Sequence, residues 1–550
     1  MEFFEQILKK REILILLLAG TVFTWRFLFT ITVMLEERFV ETENQLVVTD
    51  LKVKGDKIVP VYLPPLKEIR IGPFTFLINS IHSVNPFNPP SCPAVMVKSN
   101  KKEYFLCGLS YGALTVPYYL IKLYLFVFGK NIYSARSIFL ITFLLFMFIY
   151  LKFNEKMSKN GELLSLYFIT FPICGAAFAI PTFWNQVITF IIECLLIMKF
   201  KKILEERIVT STDAFYLLFF SGFLLHVHLI IGGALLFSMI IAFLLVERKI
   251  FFRIKPIPLI CGGFIFFIFL APYVISPFTG IINILINLVK KPFYGIFLSS
   301  FLNFVYFITA IFAPLVYIEL PTGLKCIPFS IPSAIILVFG IIGLFWERKI
   351  GKFQRFLFIT CIVYIFLFLS FSSRPYHITY VLLFFVPFIS DGLKKIKIFS
   401  SKKIVKLLLL IAIFYNYVQL EVWRKFTIES SDSLPIHKEV ASYLLKNNIT
   451  RIHDLAGPYG YNLISRGKVE VIDFTPFIEK NYNTYGIYLS LLASKNEVVL
   501  LGSEKAWFKK GISFEKATII AQEKGLKLEV LKKFPSDEKP VLVLAKVLSP

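Results

Sequence analysis

An arginine inside an apolar run, and two adjacent glutamates just past its end, are the first residues of this chain equipped for chemistry. Arg26 interrupts the hydrophobic stretch 12–34, and Glu36-Glu37 follow where that stretch gives way to a long loop. A charge near the centre of a spanning helix costs about 2.5–3.5 kcal/mol on insertion scales, so it implies a partner or an anionic ligand. The carboxylate pair supplies the material for a general base. A carboxylate at a helix C-terminus meets the negative end of the dipole, and a carboxylate neighbour pushes the same way, toward proton uptake. Arg26 or Arg38 opposes both. The plainer reading is that Arg26 snorkels and the two glutamates are solvated at the helix end.

Further polar groups sit where hydropathy places lipid. His226 and His228 lie in the run Gly222 to Ile230. Residues two apart do not share a helix face, so a two-histidine metal site requires the helix to break there. Gly232-Gly233 permit such a break. A phosphate or substrate contact, or a satisfied core histidine, are the other readings. Arg374 and His377, with Tyr376 between them, open another run at its outer end, and Arg136 opens an earlier one. Cations and a tyrosine at a membrane surface suit a phosphate or pyrophosphate, and an interfacial belt is the alternative. Asn185, Gln186 and Glu193 share one apolar helix and read as helix-packing groups.

These groups need a membrane scaffold, and the composition supplies one. The 550 residues are 56% hydrophobic and 17% aromatic, with mean hydropathy +0.70. Apolar runs cover residues 12–34, 134–152, 162–179, 182–200, 214–229, 231–246, 257–275, 294–318, 329–346, 355–372, 376–393 and 403–420. Runs of this length predict a polytopic α-helical membrane protein of about 11–13 spans. The first run is too long for a signal-peptide core and lacks a small-residue cleavage site, so it reads as a retained helix. The net charge of +24 falls mostly in short loops. There it sets orientation, and no aromatic–basic interleaving supports a nucleic-acid partner.

The basic connectors Lys152–Lys159, Lys199–Arg207, Arg248–Lys255, Arg348–Arg355 and Lys394–Lys403 belong on the cytoplasmic side with the N-terminus. Parity then makes 214–246 a tight pair of short helices, broken near Ile230 to Gly233, and turns 112–129 into a helix lying at the outer interface. Between Lys255 and Arg348, either 294–318 does not cross once or 276–292 also crosses. The loop 35–133 and the C-terminal part are extracytoplasmic.

Of seven cysteines, Cys174, Cys194, Cys261 and Cys361 read as small core residues, and Cys92 and Cys107 share the first loop, where a disulfide is one reading. No Cys/His spacing resembles a zinc site. After residue 428 the composition turns charged. A helix from Ser433-Leu434, strands at Arg451–Asp454, Val469–Phe474 and Glu497–Leu501, a helix at Phe514–Glu523 and a terminal hairpin around Pro535 to Glu538 predict an extramembrane α/β domain over 429–550. Residues 1–428 form the membrane domain, with loop 35–133 expected to carry interfacial helices.

The layout resembles the C-type glycosyltransferase superfamily, and within it the protein mannosyltransferase and aminoarabinose transferase-like branch. Tyr118-Tyr119-Leu120, Phe128-Gly129 and Ala135-Arg136-Ser137 are similar to that branch's tyrosine-rich helix, phenylalanine–glycine turn and alanine–arginine span start. Gly222 to His228 and Arg374 to Tyr380, with Pro387 beyond, are similar to its glycine–histidine and arginine–tyrosine segments. The chain departs in carrying Glu36-Glu37 for a common aspartate–glutamate pair, and in a proline- and asparagine-rich insertion at Asn79–Cys92. The resemblance implies inverting transfer of a sugar from a polyprenyl-phosphate donor to a lipid, glycan or protein acceptor at the outer membrane face. Glu36 or Glu37 is then the base, and Arg26, Arg136, His226, His228, Arg374 and His377 are the phosphate or substrate contacts. No particular cofactor is assigned, and a divalent metal is compatible with the reading. A multi-span transporter or flippase of a lipid-linked or anionic substrate is the alternative, although no internal repeat is visible.

Overall fold

In the computed structural model, described residues are 20, 45–54, 57–63, 69–71, 74–76, 94–99, 102–107, 116–129, 131–157, 161–171, 184–249, 251–275, 331–345, 351–371, 379–395, 401–429, 434–457, 461–474, 477–478, 481–502, 511–535 and 540–548. They are mostly helical, with a sheet built largely from the C-terminal residues. Two compact units result: residues 1–27, 139–318 and 326–423 form one, and residues 28–138, 319–325 and 424–550 form the other.

The first unit is helical. Its elements are α2 (Ile132–Met157, whose first turns belong to the second unit), α3 (Gly161–Thr170), α4 (Trp184–Glu206), α5 (Ser211–Val227), α6 (Leu229–Val246), α7 (Pro256–Ile275), α8 (Ile331–Phe345), α9 (Lys352–Phe371), α10 (Thr379–Lys395) and α11 (Lys402–Glu429). Among the described residues, two stretches are long and apolar enough to cross a membrane, Ile132–Met157 and Lys403–Val422. Large apolar side chains face outward, including Phe264 and Phe267 on α7 and Leu407 and Phe414 on α11, while Gln186, Glu193, Thr360 and Asn416 are buried inside. Cys261 also faces outward, so it is not the core residue its apolar neighbourhood implied.

The pair α5–α6 turns back on itself, as parity required. The strands before and after it, β7 (Ile208–Thr210) and β8 (Phe251–Arg253), hydrogen-bond to each other, so the chain leaves and returns at one end. The break falls at His228 and not at Ile230 to Gly233. Gly232 lets α6 start close against α5, because a Cβ there would lie 2.6 Å from the Leu224 carbonyl oxygen. At the shared end, Lys199 donates to Asp213 at 2.6 Å, and Asp213 closes a reciprocal cap with Thr210. Lys352 at the start of α9 pairs with Glu247 just past α6. Three of the five basic connectors therefore gather at one end of this unit.

Helices α8 and α10 cross through glycines. A Cβ on Gly392 would lie 1.9 Å from the Gly340 carbonyl oxygen, and backbone cannot swing away. Small residues permit this approach where helices pack without a hydrophobic driving force. Gly392→Ala is expected to destabilise the helical unit by about 1–3 kcal/mol. Thermal aggregation in detergent measures it, and an unchanged midpoint would refute the crossing.

The second unit is built on a seven-stranded sheet ordered β12-β13-β11-β9-β10-β1-β2. Its strands are β1 (Gln45–Lys54), β2 (Lys57–Leu63), β9 (Arg451–Asp454), β10 (Glu470–Asp473), β11 (Val498–Gly502), β12 (Lys527–Phe534) and β13 (Leu542–Leu548). The core β11-β9-β10-β1 is parallel, with antiparallel hairpins at both edges. On one face, Val48, Ile472, Val499 and Leu501 pack with α14 (Thr484–Ala493) and α15 (Phe514–Glu523). On the other, Ile452, Val471 and Leu500 pack with α12 (Leu434–Lys446) and α13 (Tyr461–Ile464). The strands and helices expected over 429–550 are present; α13, α14 and the partnership with β1–β2 are additions.

The loop after the first apolar run differs from expectation. Besides β1 and β2 it holds the hairpins β3–β4 (Ile69–Ile71, Phe74–Phe76) and β5–β6 (Ala94–Ser99, Lys102–Cys107), and one helix, α1 (Val116–Phe128). Among its described residues, strands therefore predominate over the interfacial helices expected there. The physical reason is alternation: Leu51 and Val53 interleave with Asp50, Lys52 and Lys54, a period of two rather than 3.6. Within the run 112–129, residues Val116–Phe128 form a helix, with Leu123, Phe126 and Val127 exposed.

Candidate functional site

Of the candidate residues, Arg26, Glu36, Glu37, Arg374 and His377 lie outside the described residues, as do Cys92 and the run 294–318. Arg136, His226 and His228 are described, and each has a definite setting.

Arg136 sits in the first turn of α2. That turn forms because Asn131 caps it, its Oδ1 accepting from the backbone N–H groups of Tyr133 and Ser134 at 3.0 Å each. Helix α1 is tied back to it, the Tyr124 hydroxyl lying 2.8 Å from Ser137 Oγ. Gly129, at φ 87°, makes the turn between α1 and α2. From α12, Lys438 donates to the Tyr133 hydroxyl at 2.8 Å and stands over its ring, 4.6 Å from the centroid. Arg136 itself is fully buried. Its charge acts on His437 of α12, which lies 2.7 Å through Nδ1 from the Tyr461 hydroxyl. Burial, with the Arg136 charge adding to it, pulls the His437 imidazole down to about 3, so it is neutral at physiological pH. This cation thus belongs to the assembly that carries the C-terminal sheet.

His226 is buried in the last turn of α5 and donates through Nδ1 to the Phe269 carbonyl oxygen at 3.0 Å. Phe223 and Phe269 flank its ring. His228 is the break itself, at φ −150° and ψ 83°. Its N–H donates to the Leu224 carbonyl at 3.0 Å, and its carbonyl accepts from Gly232 at 2.6 Å. Among the described residues, no three His, Cys, Asp or Glu side chains group so as to hold a metal ion.

Two polar sets emerge that sequence reading did not assign to a site. On α4, Gln186 and Glu193 are seven residues apart and so share a face, and both are buried. Neither the Glu193 carboxylate nor the Gln186 amide has a hydrogen-bond partner among the described residues. The missing partners distinguish them from ordinary helix-packing groups. In the sheet, Asp454 and Asp473 end adjacent parallel strands in register, and both are buried. Asp454 Oδ1 accepts from Ala456 and Gly457, shaping the turn beyond β9. The sequence contains both aspartates, but only strand pairing reveals that they are neighbours.

Compared with known proteins, the chain matches no family model and no curated sequence.

Proposed function

We propose that this chain is a polytopic membrane glycosyltransferase that moves a sugar from a polyprenyl-phosphate donor to an acceptor at the outer membrane face. The observation that carries the reading is the mixed sheet. Strands from the loop that follows Glu36-Glu37 and strands from residues 451–548 hydrogen-bond in one sheet, and one sheet lies on one side of a bilayer. The acidic pair's loop and the C-terminal domain then share a side, as the resemblance requires. On this reading an even number of crossings separates β2 from α12, which favours 11 or 13 spans over 12. Outward apolar side chains with inward polar ones support the membrane setting.

In the proposed step, Glu36 or Glu37 takes the proton of the acceptor hydroxyl. The acceptor oxygen bonds to the anomeric carbon as the bond from that carbon to the phosphate oxygen breaks. Polyprenyl phosphate leaves with the electron pair, and the configuration inverts. Arg26, Arg136, His226, His228, Arg374 and His377 are the candidates to hold the leaving phosphate. The test is to incubate membranes containing the chain with a labelled polyprenyl-phosphate sugar. Label should leave the lipid and appear on an acceptor, with polyprenyl phosphate released.

Transport is the second reading, favoured by one observation: a buried carboxylate and amide on α4 without hydrogen-bond partners among the described residues, a pattern that marks ion and substrate paths in membrane proteins. Label that crosses sealed vesicles while still attached to its lipid would select it.

A further inference from the structure

Glu193 lies within α4, fully buried, and neither of its oxygens has a hydrogen-bond partner among the described residues. It belongs to a stripe. Gln186, Phe190, Glu193, Ile197 and Phe200 follow one another at steps of four, three, four and three residues, which keeps them on one face of the helix. All five are buried. Two ring contacts show what that face meets. Phe190 packs on Tyr380, at the start of α10, with 4.8 Å between centroids. Phe200 packs on Phe356, at the start of α9, at 5.2 Å. Tyr364, about two turns further along α9, lies 6.3 Å from Tyr380. Helix α9 therefore runs antiparallel to α4, and Glu193, between Phe190 and Phe200, faces the seam where α9 and α10 meet.

The groups around that seam bring no positive charge. They are Thr360, Cys361 and Tyr364 on α9, Tyr380 on α10 and Cys194 beside Glu193 itself, all fully buried. The Thr360 hydroxyl donates to the Phe356 carbonyl of its own helix at 2.8 Å. The Glu193 charge acts on Cys194, Cys361 and Tyr364, and no cation among the described residues acts on Glu193. A carboxyl group so placed must carry a proton or a counter-ion. We propose that Glu193 is a binding site for one exchangeable monovalent cation, a proton or Na⁺, between α4, α9 and α10. Gln186, whose amide also has no partner among the described residues, stands roughly 10 Å further along the helix axis and marks a second polar position on the same face. The site is independent of the transferase reading and deepens the transport one by naming the ion.

The test uses the full-length chain in lipid vesicles and dicyclohexylcarbodiimide, an apolar reagent that adds to protonated carboxyl groups. The carboxyl oxygen bonds to the central carbon of the reagent, and the acid proton passes to a reagent nitrogen. In mildly acidic, sodium-free medium, peptide mass spectrometry should find the adduct on Glu193, and Glu193→Gln, which keeps the shape of the side chain, should lose it. The infrared difference between parent and Glu193→Gln gives a reading that does not depend on reagent access, and its protonated-carboxyl band should shift in D₂O. Loss of adduct and band on adding Na⁺ at constant pH assigns the site to Na⁺. Their survival in Na⁺, with loss as pH is raised, assigns it to the proton. A carboxylate band that responds to neither Na⁺ nor pH means a fixed cation from elsewhere in the chain and overturns the proposal. A protonated band that fails to shift in D₂O means a sealed core group and overturns it too. Vesicles in which labelled lipid does not cross reject transport and leave the site standing; crossing with an unresponsive Glu193 rejects the site alone.

Discussion

Replacing Glu36 and Glu37 together with glutamine should abolish sugar transfer, a loss on the order of 10²–10⁴-fold in kcat, the range that a positioned general base supplies. Glutamine keeps the shape and removes the proton acceptor, so donor affinity should change little. The single replacements separate the roles. If one glutamate is the base, its variant alone should reproduce the double loss, and the other should retain most activity. Turnover measured with a polyprenyl-phosphate sugar at saturating acceptor reads the effect. Full activity in the double variant would reject both glutamates as the base.

The C-terminal unit should lose stability in mild acid. His437 is pulled down to about 3, by burial first and then by the Arg136 charge. His453 is pulled down to about 4, again by burial first and then by Arg451. His453 also holds Ser494 at 2.8 Å through Nδ1. An unfolded histidine titrates near 6.5, so below about pH 6.5 the unfolded chain binds protons that the folded one refuses. The stability held by the neutral rings is complete above about pH 6.5. It falls as pH drops toward 4, by about 1.4 kcal/mol per pH unit for each histidine. Protease susceptibility of residues 429–550 between pH 7 and pH 4 measures this, and His453→Gln should remove part of the slope. A flat profile over that range would mean that the rings are accessible to protons in the folded state.

How much of this was legible beforehand varied with the length of the signal. The long apolar runs gave α2 and α11, and the period-two segments after residue 450 gave β9 to β13 with bounds at most one residue off. The hairpin β1–β2 also left a local mark. Alternating residues flank Gly55-Asp56, and Lys54 pairs with Lys57, which fits a two-residue turn. That mark predicts a hairpin but not its partner, because β1 aligns with β10 through contacts no local pattern encodes. The α5–α6 break was expected, and its place at His228 was missed by two residues because the glycines that permit it lie beyond it, on α6. For Arg136, the start of a helix was legible. The α12 side chains beside it were invisible, being three hundred residues away.

The parallel pairing of Gln45 with Val471 also has a consequence for biogenesis. At about 5–20 residues per second, the ribosome needs on the order of tens of seconds to travel from one strand to the other. Throughout that interval β1 offers an unsatisfied edge and an uncovered Val48 face while the helices between are being synthesised. Completion of the domain therefore waits for the codons of β9 to β13. A chain stalled or truncated before residue 470 is left with an unpaired hairpin open to chaperones, proteases or aggregation.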